Sequence, residues 1–270
     1  MATNSSPRHD RDPQDDRADR LADLVSRARA SATTTTPPGL HLPEDLPLAY
    51  RVQDEVTRRR TADGAVLCGW KVGAANARQQ AELGPAIAPT RGALFQESLV
   101  PAGATVDGLT APKVEPEIGF VLAHDLYHPV RDLAEALAAV ARAVAVIEVV
   151  DTIWAPGATL ADGVADNASA GWVVVGADLP IDLGDELLAL EVELYVDGVA
   201  VGRERTPAAG WAHPADALVA LARRLAETGR HLQAGQLVIS GGICAPVDLL
   251  PVSTVSARFG RLAEVAVSRR

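Results

Sequence analysis

The sequence predicts an α+β chain, with a helical N-terminal part followed by a β-rich region whose sheet is mixed or mostly antiparallel. Three observations predict it. Up to about residue 60, apolar residues recur with helical spacing. Beyond about residue 95 the texture changes to short β-branched runs bounded by Gly, Pro or Asp. Only two helical patterns interrupt those runs, so they do not make the regular strand–helix alternation of a parallel sheet.

Taken in order, residues 1–17 are polar, charged and proline-containing, and predict a disordered tail. Between Asp15 and Ala32, residues Leu21, Leu24, Val25 and Ala28 fall at i, i+3, i+4 and i+7, the stripe of an amphipathic helix. "SATTTTPPGLHLPEDLP" reads as a linker, because Pro and Gly stop helices. A second helix covers Leu46–Arg60, with Leu48, Val52 and Val56 on one face. "AVLCGWKVG" then reads as a strand and "NARQQAEL" as a short helix. This divides the chain into a tail (1–17), a helical N-terminal subdomain that includes the Lys71 strand (18–95) and a β-rich domain (96–270).

In that last domain "KVEPEIGFVLA", "AVIEVV", "GWVVVG", "LALEVELYV", "VAVGRE", "QLVISGG", "STVSARF" and "AEVAVS" are strand candidates. "VDG" at 196–198 marks a hairpin turn, since Asp-Gly accepts positive φ. The interrupting helices are expected at Asp132–Ala145 (Leu133, Leu137, Val140, Val144) and at Pro214–Thr228.

Composition excludes several function classes. A net charge of −10 over 270 residues argues against a nucleic-acid surface, which needs basic groups to displace counterions. No apolar run approaches the roughly 20 residues that span a bilayer, and the first residues lack the apolar centre of a signal peptide. Cys68 and Cys244 lie far apart and form no metal-ligand pair, so they read as two reduced thiols. The expectation is a cytoplasmic protein with neither nucleic acid nor membrane as partner.

Chemistry concentrates in a few acids. Side chains alternate faces along a strand, so Glu115 and Glu117 of "KVEPEIGFVL" point the same way at the start of an otherwise apolar run. Two carboxylates so placed repel unless a positive charge sits between them, and a hard divalent cation serves well. Glu148 lies inside "AVAVIEVVDTIW", where an unpaired charge is costly, and a metal shared with Glu115 and Glu117 would partner it. The alternative is a solvated strand face. "EVELYV" carries Glu191 and Glu193 at the same spacing, and there the alternation with Leu190, Val192, Leu194 and Val196 marks an ordinary half-buried strand with its acids in water.

Lys71 sits among apolar residues between Gly69 and Gly73. It is either a proton donor or anchor for a carbonyl or carboxylate, or a lysine snorkelling from a strand end. In "GVADNASAGWVVVG", Asp166, Asn167 and Ser169 either cap a turn or present donors to an anionic ligand.

The motifs "GWKVG", "VEPEIGFVL", "IEVVD", "ADNASAG", "VISGGICAPV" and "FGRLAEVAVS", in this order, resemble the 2-hydroxypentadienoate (2-keto-4-pentenoate) hydratase and 4-oxalocrotonate decarboxylase branch of the fumarylacetoacetate hydrolase superfamily. The resemblance runs from about residue 20 to the C-terminus. It implies that superfamily's mixed β-roll or sandwich behind a helical N-terminal part, with 96–270 as the catalytic domain. It implies Mg²⁺ or Mn²⁺ held by Glu115, Glu117 and Glu148, Lys71 as the active-site lysine and Ser169 beside the substrate. The implied substrate is a small 2-oxo or 2-hydroxydienoic acid, turned over by a homo-oligomer, a dimer or larger. Hydration through a metal-stabilised enolate is the first expectation. Alternatives are decarboxylation or tautomerisation of a 2-oxo acid, a repurposed secondary-metabolism enzyme, and a non-catalytic partner subunit.

The chain departs from the family pattern at three places. Where hydratases read "KVGLTS" it has "KVGAAN", so Ala75 replaces a small hydroxyl. Where they read "PDYG" or "PDFG" it has "PTRG", so Thr90, a poor base, replaces an acid. A late "KGD" is replaced by "LLPVS". Arg91 is expected either to recruit a second carboxylate of a substrate or to lie on the surface.

Overall fold

Two sheets and a helical layer build the chain in the computed structural model, which describes residues 13–75, 77–127, 129–180, 182–206 and 211–270. The helical layer comes first, as α1 (Pro13–Ser31) and α2 (Leu46–Ala62). Then follow β1 (Leu67–Gly73), α3 (Ala77–Leu83), β2 (Thr90–Phe95), β3 (Leu99–Pro101), β4 (Ala104–Val106) and β5 (Pro112–Leu122). The middle of the chain holds α4 (Leu133–Ala138), β6 (Val140–Asp151), α5 (Leu160–Ala165), β7 (Ala170–Leu179) and α6 (Asp185–Leu188). The last part holds β8 (Glu191–Val196), β9 (Val199–Arg205), α7 (Asp216–Ala226), β10 (Leu237–Ile239), β11 (Val247–Asp248), β12 (Thr254–Phe259) and β13 (Ala263–Arg269).

The larger sheet runs β2-β1-β10-β5-β6-β7-β3, with β11 added beside β5, and the smaller runs β4-β13-β12-β8-β9. Most pairings are antiparallel, while β1–β10, β3–β7 and β4–β13 are parallel, so the sheets are mixed as expected. The hairpin turn falls at Asp197 and Gly198, both with positive φ. The Lys71 strand, which the sequence groups with the helices, is an inner strand of the larger sheet.

The helical layer has its own core. Ala18, Ala22, Val25 and Ala28 of α1 meet Leu48, Ala49 and Val52 of α2, together with Leu40, Ile153, Trp154 and Val164. The intervening linker is irregular but docked, because Thr35 bonds backbone-to-backbone with Ile153 and Ala155, and the Leu40 amide donates to Asp162.

Three expectations need correction. The tail was expected to be disordered through residue 17, but α1 begins at Pro13, with Asp15 and Asp16 in its first turn; proline suits a first helical position and acids suit a helix N-terminus. Residues 1–12 lie outside the described residues. The helix expected at Asp132–Ala145 stops at Ala138, and the chain enters β6 at Val140. Asp132 caps the short helix by accepting from the Glu135 amide at 3.0 Å. Beyond it, pairing with β5 on one side and β7 on the other overrides the helical spacing of Val140 and Val144.

The third correction is Arg91, which neither faces the site nor lies on the surface. It points away from Thr90 along β2, 2% exposed. Its guanidinium holds both Asp54 oxygens at 2.9 and 3.0 Å, donates to Gln53 at 2.6 Å and lies over the Tyr50 ring. It therefore ties α2 to β2. Arg91→Met should lower the unfolding free energy by about 3 kcal/mol, the low end for removing one partner of a buried pair, because Asp54 also holds Arg230. Urea denaturation checks this, and an unchanged midpoint would contradict the assignment.

Candidate active site

The register of β5 against β6 assembles the acids. Glu115 stands directly opposite Glu148, and Glu117 follows two residues along on the same face. Like charges directly opposite each other destabilise a sheet, yet the three carboxylates offer oxygens that all lie within 4.8 Å of one another. Glu117 and Glu148 are buried and Glu115 half-buried. Burial, and then the neighbouring Glu148 charge, pushes Glu115 up to about 7. The same two causes raise Glu117 well above the usual carboxylate range.

Lys71 is the counter-charge. It reaches across the sheet from β1 and sits 2.7 Å from Glu148 Oε1, both side chains almost fully buried. It is not a snorkelling lysine. Burial alone would lower its pKa, but the carboxylates, Glu148 foremost, outweigh that and raise it, so it is an ammonium at neutral pH. Its stem passes Gly92, where a Cβ would come 2.8 Å from Lys71 Cγ.

Lys71 Nζ also donates to the carbonyl of Ala168 at 3.0 Å. That carbonyl lies in a turn where Asn167, Ala168 and Ser169 all have positive φ. Non-glycine residues pay roughly 1–2 kcal/mol each for this conformation, so the surroundings must hold it. Asn167 does so on one side, its amide exchanging two hydrogen bonds with the Ala93 backbone. Asp166 does so on the other, gripped by Arg29 of α1. Of the three residues read as caps or donors, Asp166 and Asn167 thus brace the turn, and Ser169 lines the cavity.

That cavity, of about 440 Å³, is lined by Lys71, Thr90, Glu115 and Ser169 among the polar groups and by Val72, Ala75, Leu160 and Ile243 among the apolar ones. Ala75 and Thr90, two of the three departures from the family pattern, both line it. Among the described residues, the Thr90 hydroxyl is buried without a hydrogen-bond partner. The glycines after β10 shape the floor: the Gly241 amide donates to Glu117 Oε2 at 2.8 Å, and a Cβ on Gly242 would come 3.0 Å from Glu115 Cδ. Glu191 and Glu193 lie elsewhere, on the smaller sheet, where Arg203 donates to Glu193 in partial contact with water.

The residues fit a hard divalent cation. Among the described residues, Glu117 Oε1 and Glu148 Oε2 are buried without a hydrogen-bond partner, a state buried polar atoms rarely keep. With all three ionised, the carboxylates exceed the one ammonium by two negative charges, and an all-oxygen donor set suits Mg²⁺ or Mn²⁺.

No protein-family model matches the chain. Individual proteins do. The chain is 34% identical over 259 residues to the 2-keto-4-pentenoate hydratase of Paraburkholderia phymatum, covering 94% of this chain and 98% of that one. It is also 34% identical over 223 residues to the 4-oxalocrotonate decarboxylase of Pseudomonas sp. (strain CF600), covering 81% and 83%. The chain belongs to this hydratase–decarboxylase family. Among solved structures, the family's 4-oxalocrotonate decarboxylase from Pseudomonas putida G7, complexed with magnesium and adipate, superposes with a TM-score of 0.85 at 28% identity over 94% of this chain and 98% of that one. Beyond the family, a fumarylpyruvate hydrolase-like protein from Burkholderia cenocepacia shares the fold at a TM-score of 0.57 and 18% identity.

The raised carboxylates make stability depend on pH. In the folded chain Glu115 keeps its proton up to about 7, against 4.5 when unperturbed. Between those values the folded state binds more protons than the unfolded state, so stability falls as pH rises. Chelator-treated protein should therefore lose Tm from about pH 5 to pH 7.5, and the Tm gain from millimolar Mg²⁺ should grow over that range. Glu115→Gln should flatten both trends. A magnesium gain independent of pH would contradict the account.

Proposed function

We propose that the chain is a Mg²⁺-dependent lyase that hydrates a 2-hydroxydienoate, with Glu115, Glu117 and Glu148 as metal ligands, Lys71 as catalytic residue and Ser169 as a substrate contact. The observation that carries it is the buried carboxylate triad facing the Lys71 ammonium at the floor of a cavity. A divalent cation bound there supplies Lewis-acid stabilisation of negative charge on a 2-oxo oxygen. The remaining work falls to the chain. Ketonisation moves a proton from the 2-hydroxyl to the far end of the diene. Water then adds across the remaining double bond, its oxygen to the far carbon and its hydrogen to the carbon nearer the 2-oxo group. Lys71, held by Glu148 and the Ala168 carbonyl, would donate a hydrogen bond or proton to the substrate's oxygen-bearing end. Apolar Val72, Leu160 and Ile243 limit the water that reaches it.

Decarboxylation is the second reading, favoured by the equal identity to a 4-oxalocrotonate decarboxylase. Hydration of a monocarboxylate is preferred because Lys71 is the one cation among the described residues lining the cavity, so none of the others there pairs a distal carboxylate. The same proposal includes a homo-oligomer, supported by exposed Val199 and Val201 on the edge strand β9, and the two sheets as the roll of this superfamily. No helix among the described residues is long and apolar enough to cross a membrane.

Two tests apply. Incubation with Mg²⁺ and 2-hydroxypenta-2,4-dienoate should bleach the diene absorbance and give a product heavier by one water, whereas loss of CO₂ from a 2-oxo enedioate would favour the second reading. Lys71→Met should cut turnover by roughly 10²- to 10⁴-fold with Mg²⁺ affinity kept. Glu117→Gln or Glu148→Gln should weaken Mg²⁺ binding, while Glu191→Gln and Glu193→Gln should change neither. Full turnover by Lys71→Met would remove the lysine from the mechanism.

A further inference from the structure

The N-terminal helix contributes nothing to the cavity lining, yet it grips the turn beside Lys71. Arg29, in the last turn of α1, donates from Nε to Asp166 Oδ1 at 2.8 Å and from Nη2 to Asp166 Oδ2 at 2.7 Å. Nη2 also donates to the Asp151 carbonyl at 2.6 Å, at the end of β6, three residues past Glu148. Asp166 is fully buried, receives the Ile153 amide at 3.3 Å and closes the turn by accepting the Ser169 amide at 2.8 Å through its own carbonyl. The next three residues hold φ of 53°, 51° and 57°. A conformation this unfavourable persists only where its neighbours over-determine it. The bracing comes from the Asn167 side chain bonded to Ala93 of β2 and from Arg29 on α1.

We propose that Arg29 is a positioning residue for the reaction: by clamping Asp166 from the N-terminal helix, it fixes the turn that sets the Lys71 ammonium on Ala168 O and presents Ser169 to the cavity. This rests on the role of Lys71 proposed above. The planar fork of a guanidinium matches both carboxylate oxygens at once, which a lysine cannot do. Without Arg29, Asp166 is a buried carboxylate with no counter-charge. Burial already pushes it up to about 6 with Arg29 present. It then protonates or leaves its place, and the turn loses one of its two braces. The reaction would thus depend on a helix remote from the reacting atoms.

The test compares Arg29→Met, Arg29→Lys, Asp166→Asn and the double variant Arg29→Met/Asp166→Asn, with folding checked by circular dichroism. Arg29→Met should stay folded, bind Mg²⁺ as the wild type does, and lose roughly 10- to 100-fold in kcat, as expected when a reacting group shifts by about an ångström. Hydrogen exchange should quicken across residues 166–170. Millimolar guanidinium should restore part of the turnover, Arg29→Lys should not, and the double variant should be no worse than Asp166→Asn. Wild-type kcat in folded Arg29→Met, or losses that add in the double variant, would overturn the proposal. If Arg29→Met fails to fold, Asp166→Asn carries the same kinetic and exchange comparison. A wild-type enzyme inactive on every 2-hydroxydienoate and 2-oxo acid would sink the functional reading instead, and unchanged exchange across 166–170 would then still overturn the clamp.

Discussion

Mutual repulsion of three carboxylates on one face of two paired strands is the constraint on which the rest of the site depends. Glu115 and Glu148 are opposite neighbours in the ladder and Glu117 is next on the same face. Left alone, they would protonate or unpair the strands. The chain supplies one ammonium, one backbone amide and a cavity for a further positive charge. Each device has a structural consequence: Lys71 requires Gly92 beside its stem, and the loop that carries the Gly241 amide requires Gly242 where it passes Glu115.

A second layer holds the first. The ammonium needs an acceptor that is not another carboxylate, and it finds the carbonyl of Ala168 in a strained turn. Asn167 anchors that turn to the sheet and Asp166 anchors it to the helical layer. Arg91 then ties α2 to the strand that carries Thr90 and Gly92. Helices α1 and α2 therefore act on the site through salt bridges rather than by lining it.

The parts governed by local pattern were legible in the sequence. Period-two alternation put Glu115 and Glu117 on one face, the apolar run marked Glu148 as buried, and Lys71 stood out among apolar neighbours. Contacts distant along the chain were not legible. Arg91 was misplaced because its partner Asp54 lies 37 residues away on a helix. The Arg29–Asp166 pair is separated by 137 residues, and neither residue type nor spacing announces it. Half of β6 was mistaken for helix because Val140 and Val144 fit a helical stripe, and only pairing on both edges of that strand decides otherwise. The same pairing sets Glu115 opposite Glu148, so that register was hidden as well.

The central claim is that the three carboxylates share one divalent cation. Anomalous scattering from crystals grown with Mn²⁺ tests it most directly. A single strong peak is expected within bonding distance of oxygens from Glu115, Glu117 and Glu148, with Lys71 Nζ outside that sphere. A peak elsewhere, or none with carboxyl groups paired through a shared proton, would contradict it.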